Sequence, residues 1–179
     1  MSTDWKGYAR LFKQCWEELE NEFRNNNLNP QHENDVVCYL YYALARKFKK
    51  KGWPLYLIRT EDTHNIGKET LRPDLNLNGR LFVEVKMYPL RHYTIGWARR
   101  KDGIGYNVWK LEKYVKHTKA NTSNLVRRPV LALWFRKHDR DMKLPLEDTL
   151  IPDDLHTMLK KEAERYKNKV TILYGPKSG

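Results

Sequence analysis

This sequence predicts an α/β domain in which a mixed central sheet is flanked by helices, and three observations carry that expectation. Two amphipathic helical stretches come first, followed by short apolar runs separated by turn signals, then a helix and a strand alternating twice. Val130, Leu131, Ala132, Leu133, Trp134 and Phe135 form an unbroken apolar run, the pattern of a strand covered on both faces. Element order is then α, α, β, β, β, α, β, α, β. A chain of 179 residues suits one domain (1–179), divided into a leading helix over 1–28 and a core over 30–175.

The first helix is predicted over residues 5–25, where Tyr8, Leu11, Phe12, Cys15, Trp16, Leu19 and Phe23 recur at helical spacing. Asn29-Pro30 reads as a cap followed by first-turn proline, opening a second helix to about residue 50. At 100° per residue, Glu33 falls within roughly 40° of Val37, Leu40 and Leu44, whereas Asp35 points to solvent. A carboxylate on an apolar face is unfavourable unless it is paired or bound to a cation, so Glu33 needs a partner. The competing reading is that Glu33 merely complements the helix dipole.

Gly52 ends that helix, and residues 54–59 read as the first strand. A polar loop over 61–67 holds Glu61 and His64, which we leave outside the core site. Next comes the stretch from Arg72 to Lys86, two strands joined at Asn78-Gly79, a hairpin signal. On the second of these strands, Glu84 and Lys86 are two apart and share a face, with Val83 and Val85 on the other. Asp74 lies on the partner strand. A strict two-residue loop would pair Asp74 with Val83 and turn it away from Glu84. Convergence of the two carboxylates therefore predicts one extra residue, as in a three-residue loop with Gly79 in the left-handed region.

Residues 87–105 interleave aromatics with Arg91, Arg99 and Arg100, a composition suited to phosphate contact and base stacking, or equally to a surface loop folded onto the domain. A helix is predicted over 106–119, a strand over 128–136, a helix from Pro152 to about residue 167, and a last strand over 170–174.

Hydrophobic content of 40% and aromatic content of 12% exclude a disordered chain. A formal net charge of +12 points to a polyanionic partner, most simply nucleic acid. Cys15 and Cys38 fall at or beside apolar helical positions and are expected to be reduced. The first six residues carry no apolar signal core and no run approaches membrane-spanning length. Together these predict an intracellular protein, cytoplasmic or nucleoid-associated.

Pro73-Asp74 followed by Glu84-Val85-Lys86 resembles the signature of the PD-(D/E)XK, or restriction-endonuclease-like, nuclease superfamily. That resemblance implies an αβββαβ core, here preceded by an extra helix, and a Mg²⁺- or Mn²⁺-dependent endonuclease acting on DNA. It further implies that Asp74, Glu84 and the Val85 carbonyl hold the metal, that Lys86 orients or deprotonates a water, and that Glu33 joins the site from the first core helix. Mg²⁺ often takes only one or two carboxylates plus water and substrate phosphate, which fits this set. Lys110-Leu111-Glu112-Lys113-Tyr114 is similar to a Gln-x-x-x-Tyr motif of some subfamilies, with lysine replacing glutamine. Lys110 and Tyr114 are accordingly expected to contact nucleic acid with Arg91, Arg99 and Arg100. Two alternatives use the same fold: a non-catalytic nucleic-acid-binding module, and a branched-DNA (Holliday junction) resolvase, which would act as a two-fold homodimer.

Overall fold

A computed structural model of the chain describes residues 5–61, 63–66, 69–89, 103–120, 129–136 and 151–176. Its strands β1 (Ile58–Thr60), β4 (Leu75–Leu77), β5 (Leu81–Pro89), β6 (Val130–Arg136) and β7 (Thr171–Gly175) form one open sheet in the order β1-β4-β5-β6-β7. Pairing is antiparallel from β1 to β5 and parallel from β5 to β7, so the sheet is mixed. Strands β2 (His64–Ile66) and β3 (Glu69–Leu71) make a separate hairpin. Among the described residues there are four α-helices: α1 (Trp5–Arg24), α2 (Glu33–Lys50), α3 (Ile104–Ala120) and α4 (Asp153–Tyr166).

Strand alternation assigns the two faces. Leu81, Val83 and Val85 of β5 join Val130, Ala132 and Trp134 of β6 in the core shared with α1 and α2. Phe82, Tyr88, Leu131, Leu133 and Phe135 belong to the core beneath α3 and α4. Trp134 is the aromatic centre of the first face, packing edge-on against Trp16 and Phe23 of α1 with centroids 5.7 and 5.3 Å away. The unbroken apolar run of β6 is thus explained by helices on both sides.

Three local expectations are corrected. The first strand is shorter than predicted: Leu55–Leu57 forms a turn of 3₁₀ helix after Pro54, and β1 begins only at Ile58. The polar 61–67 stretch supplies a strand of the β2–β3 hairpin, formed by three-residue segments too short for alternation to show. Helix α2 starts at Glu33 rather than Pro30, because the Asp35 carboxylate reaches back to accept from the backbone N–H groups of Gln31 and His32, both at 2.8 Å.

Both cysteines are free thiols. Cys15 is buried, and burial pushes its thiol up to about 12; Cys38 is exposed on α2. None of the described helices is long and apolar enough to cross a membrane.

The hairpin between β4 and β5 has the expected irregularity. Leu77 pairs with Leu81, leaving Asn78, Gly79 and Arg80 between the strands. Asn78 and Gly79 have φ of 54° and 64°, and the Arg80 N–H donates to the Leu77 carbonyl at 2.9 Å. A Cβ on Gly79 would meet nothing within 4 Å, so the demand for glycine is purely conformational. Gly79→Val should cost about 1–2 kcal/mol in urea unfolding, and Gly79→Asn distinctly less. Equal losses would show that the turn does not hold this conformation.

Candidate functional site

The site begins with a mismatch in strand length. β4 is three residues long and β5 nine, so β5 continues beyond its partner with an edge that no other described strand pairs. Pairing ends at Leu75 opposite Val83; one step further along this register, Asp74 lies across from Glu84 on the same face. Two N–H groups on the bare edge take side-chain acceptors instead of a strand. Val85 donates to Asp74 Oδ2 at 2.6 Å, and Met87 donates to Glu33 Oε2 at 3.3 Å. Glu33 thus finds on β5 the partner its apolar helix face demanded.

Glu84 shares its face of β5 with Phe82 and Tyr88, meets Lys110 of α3, and is only 1% exposed. Its Oε1 accepts from Lys110 Nζ at 2.6 Å and lies 3.3 Å from Lys86 Nζ. Its Oε2 is buried and has no hydrogen-bond partner among the described residues. Lys86 also donates to Glu33 Oε1 at 2.8 Å, so one ammonium bridges two carboxylates from different elements. Burial works against the Lys86 charge, but Glu84 and Glu33 outweigh it and hold the ammonium above its ordinary pKa. Asp74 is shifted the other way for a carboxylate, up to about 7, by burial first and then by the facing Glu84 charge, against the Val85 hydrogen bond.

Three of these groups border an open cavity of about 670 Å³. Glu84, Lys86 and Lys110 line it together with Arg72 and Thr70 on one side and Tyr106 and Asn107 of α3 on the other. Of the residues singled out from sequence, Asp74, Glu84, Lys86, Glu33 and Lys110 are brought together. Arg91, Arg99 and Arg100 lie outside the described residues. Tyr114 is corrected: it is fully buried, its ring stacked on Phe82 at 5.9 Å, and burial raises its pKa, so it offers no surface to nucleic acid. Lys110 lines this cavity with its ammonium on the Glu84 carboxylate. Sequence reasoning missed Arg72, Tyr106 and Asn107, although Arg72 immediately precedes the Pro73-Asp74 pair.

The donor set fits a hard divalent cation in its chemistry. The Asp74 carboxylate just before β4 faces Glu84 on β5, Glu84 carries a buried oxygen with no partner among the described residues, and burial together with the Glu84 charge raises Asp74. No group of three or more His, Cys, Asp or Glu side chains placed to hold a metal ion occurs among the described residues, so water and substrate would supply the remaining ligands. Both oxygens of Glu33 are engaged by Lys86 and the Met87 N–H, which makes it a positioning residue in this arrangement.

No family model, curated protein or solved structure matches this chain.

The raised Asp74 carboxyl has a consequence for stability. Between its ordinary value of 3.8 and about 7 the folded protein binds more protons than the unfolded chain, so stability falls as pH rises through that window. Asp74→Asn keeps an acceptor for Val85 and removes the titration. In chelator, it should be more stable than wild type above pH 7, by an amount on the order of a few kcal/mol, with the gain vanishing near pH 4. Thermal unfolding across this range measures it; a pH-independent difference would contradict the shift.

Proposed function

We propose that the protein is a metal-dependent endonuclease that hydrolyses phosphodiester bonds in DNA, with a PD-(D/E)XK-like site on a restriction-endonuclease-like sheet. The single observation that carries this reading is the placement of Asp74 opposite Glu84 with Lys86 on the same strand end, beside an open cavity lined by further cations. The net charge of +12 supports a polyanionic substrate.

Asp74, Glu84 and the Val85 carbonyl would hold Mg²⁺ or Mn²⁺. When bound, the ion supplies Lewis-acid polarisation of the phosphoryl oxygen and acidifies a water. The chain's own groups do the rest. Lys86, kept protonated by Glu84 and Glu33, serves as a charge and hydrogen-bond donor to phosphate or water rather than as a base. Glu33 fixes the Lys86 ammonium from α2, and the Val85 N–H fixes the Asp74 carboxylate. Lys110 neutralises Glu84 until substrate arrives, then offers its charge to phosphate.

The decisive experiment presents purified protein and Mg²⁺ or Mn²⁺ with supercoiled, linear, single-stranded and four-way-junction DNA. Cleavage is expected, abolished by Asp74→Ala and lowered about 10²–10³-fold by Lys86→Ala, the typical loss for one transition-state donor. Absence of cleavage on every substrate, or cleavage indifferent to both changes, would overturn the enzyme reading.

A second reading has one specific observation in its favour. Glu84 already has two lysines as counter-ions, the arrangement a non-catalytic nucleic-acid-binding module would need to bury that carboxylate. Titration calorimetry separates them: Mg²⁺ or Mn²⁺ binding lost in Asp74→Ala supports the nuclease, whereas salt-dependent DNA binding with no metal response supports the module.

A further inference from the structure

The cavity next to Glu84 has an unusual mixed lining. Among its lining residues Arg72, Lys86 and Lys110 are cationic and Glu84 alone is acidic, with Glu33 of α2 pairing Lys86 from outside the lining, a balance that still suits phosphate. Phosphate contact alone would not call for an aromatic ring, yet Tyr106 lines the same cavity while remaining 38% exposed.

Tyr106 does not stand alone on its helix. Trp109, itself 41% exposed, lies with its ring centroid 5.4 Å from that of Tyr106 and its plane tilted by 32°. Lys113 Nζ sits 3.8 Å from the Trp109 centroid. One side of α3 therefore carries a column of Tyr106, Trp109 and Lys113, supported at one end by a cation and reaching the cavity at the Tyr106 end. Large exposed aromatics propped into a column beside a basic cavity are the elements of a base-stacking platform.

We propose that this cavity receives an unpaired nucleotide of single-stranded DNA, its base stacked on Tyr106 and its phosphates held by Arg72, Lys86 and Lys110. In a duplex the faces of the bases are covered by their neighbours, so only an unstacked base can present its face to Tyr106. A cavity of about 670 Å³ lies within the range of ligand pockets, about 300–1,000 Å³. The proposal deepens the endonuclease reading by naming its substrate class, and it rests on that reading for the fate of the bound strand. The recognition itself requires no catalysis. Trp109 is a positioning residue here, setting the plane of Tyr106.

The test is binding in chelator, where cleavage plays no part. Fluorescence anisotropy would compare a labelled single strand, the same sequence as duplex, and the same strand carrying abasic sites. Wild type should prefer the intact single strand over both. Tyr106→Leu, which keeps apolar volume without a π-face, should weaken single-strand binding about 5- to 150-fold, the range measured for loss of one base stack. Tyr106→Phe should bind as wild type does. Neither change should alter abasic-strand affinity, which reports the phosphate contacts alone. Circular dichroism of Tyr106→Leu checks that the helix survives.

Undiminished single-strand binding by folded Tyr106→Leu, equal affinity for intact and abasic strands, or preference for duplex would each overturn the proposal. Failure of the nuclease reading looks different. Tyr106-dependent single-strand binding with no cleavage in Mg²⁺ would remove the enzyme and leave the nucleotide site standing.

Discussion

The arrangement of the site depends on how β5 solves the problem of its own exposed edge. β5 outlasts β4, and an N–H left without an acceptor in a partly buried setting costs about 1–3 kcal/mol. The N–H groups of Val85 and Met87 point toward the side that β4 has vacated, and carboxylates from the residue before β4 and from the first turn of α2 satisfy them. Asp74 and Glu33 are thereby fixed to backbone rather than to each other. Acidic side chains that would repel one another are held at one strand end because each has a hydrogen-bonding task there.

Electrostatics then fills the space these anchors define. Glu84, almost wholly removed from water, takes two ammonium groups, and Lys86 is shared with Glu33. Breaking one partner from such a buried network is far costlier than the network's net contribution to stability, because it leaves a buried charge uncompensated. Asp74 receives less compensation and responds by holding its proton more tightly. Two neighbouring carboxylates thus differ in character, one paired with lysine and the other near its titration midpoint at neutral pH.

Much of this was readable from the chain, for reasons that separate local from distant. Alternation along Leu81 to Lys86 assigned Glu84 and its neighbours to faces, because a strand repeats every two residues. Asn78-Gly79 with the need for Asp74 to face Glu84 yielded the three-residue loop, and helical periodicity singled out Glu33 over Asp35. Pairings across large sequence separations were not readable. Lys110 meets Glu84 across 26 residues and Lys86 meets Glu33 across 53, distances over which periodicity carries no information. Tyr114 illustrates the opposite error: a motif-like position on α3 looked available, but helix phase relative to Phe82 turned it inward. The β2–β3 hairpin escaped because three-residue strands cannot establish a period.

The contrast between the two cysteines gives the protein a chemical property unconnected with its charges. Cys15 is enclosed by the α1 core with its thiolate strongly disfavoured, whereas Cys38 faces solvent on α2. Toward thiol-directed reagents the folded chain therefore behaves as a monothiol. The reactive position lies five residues, about 7 Å of helix rise, beyond Glu33, on the same rigid segment that holds the Lys86 ammonium. A fluorophore or spin label placed there would report on α2 without any change to the native sequence.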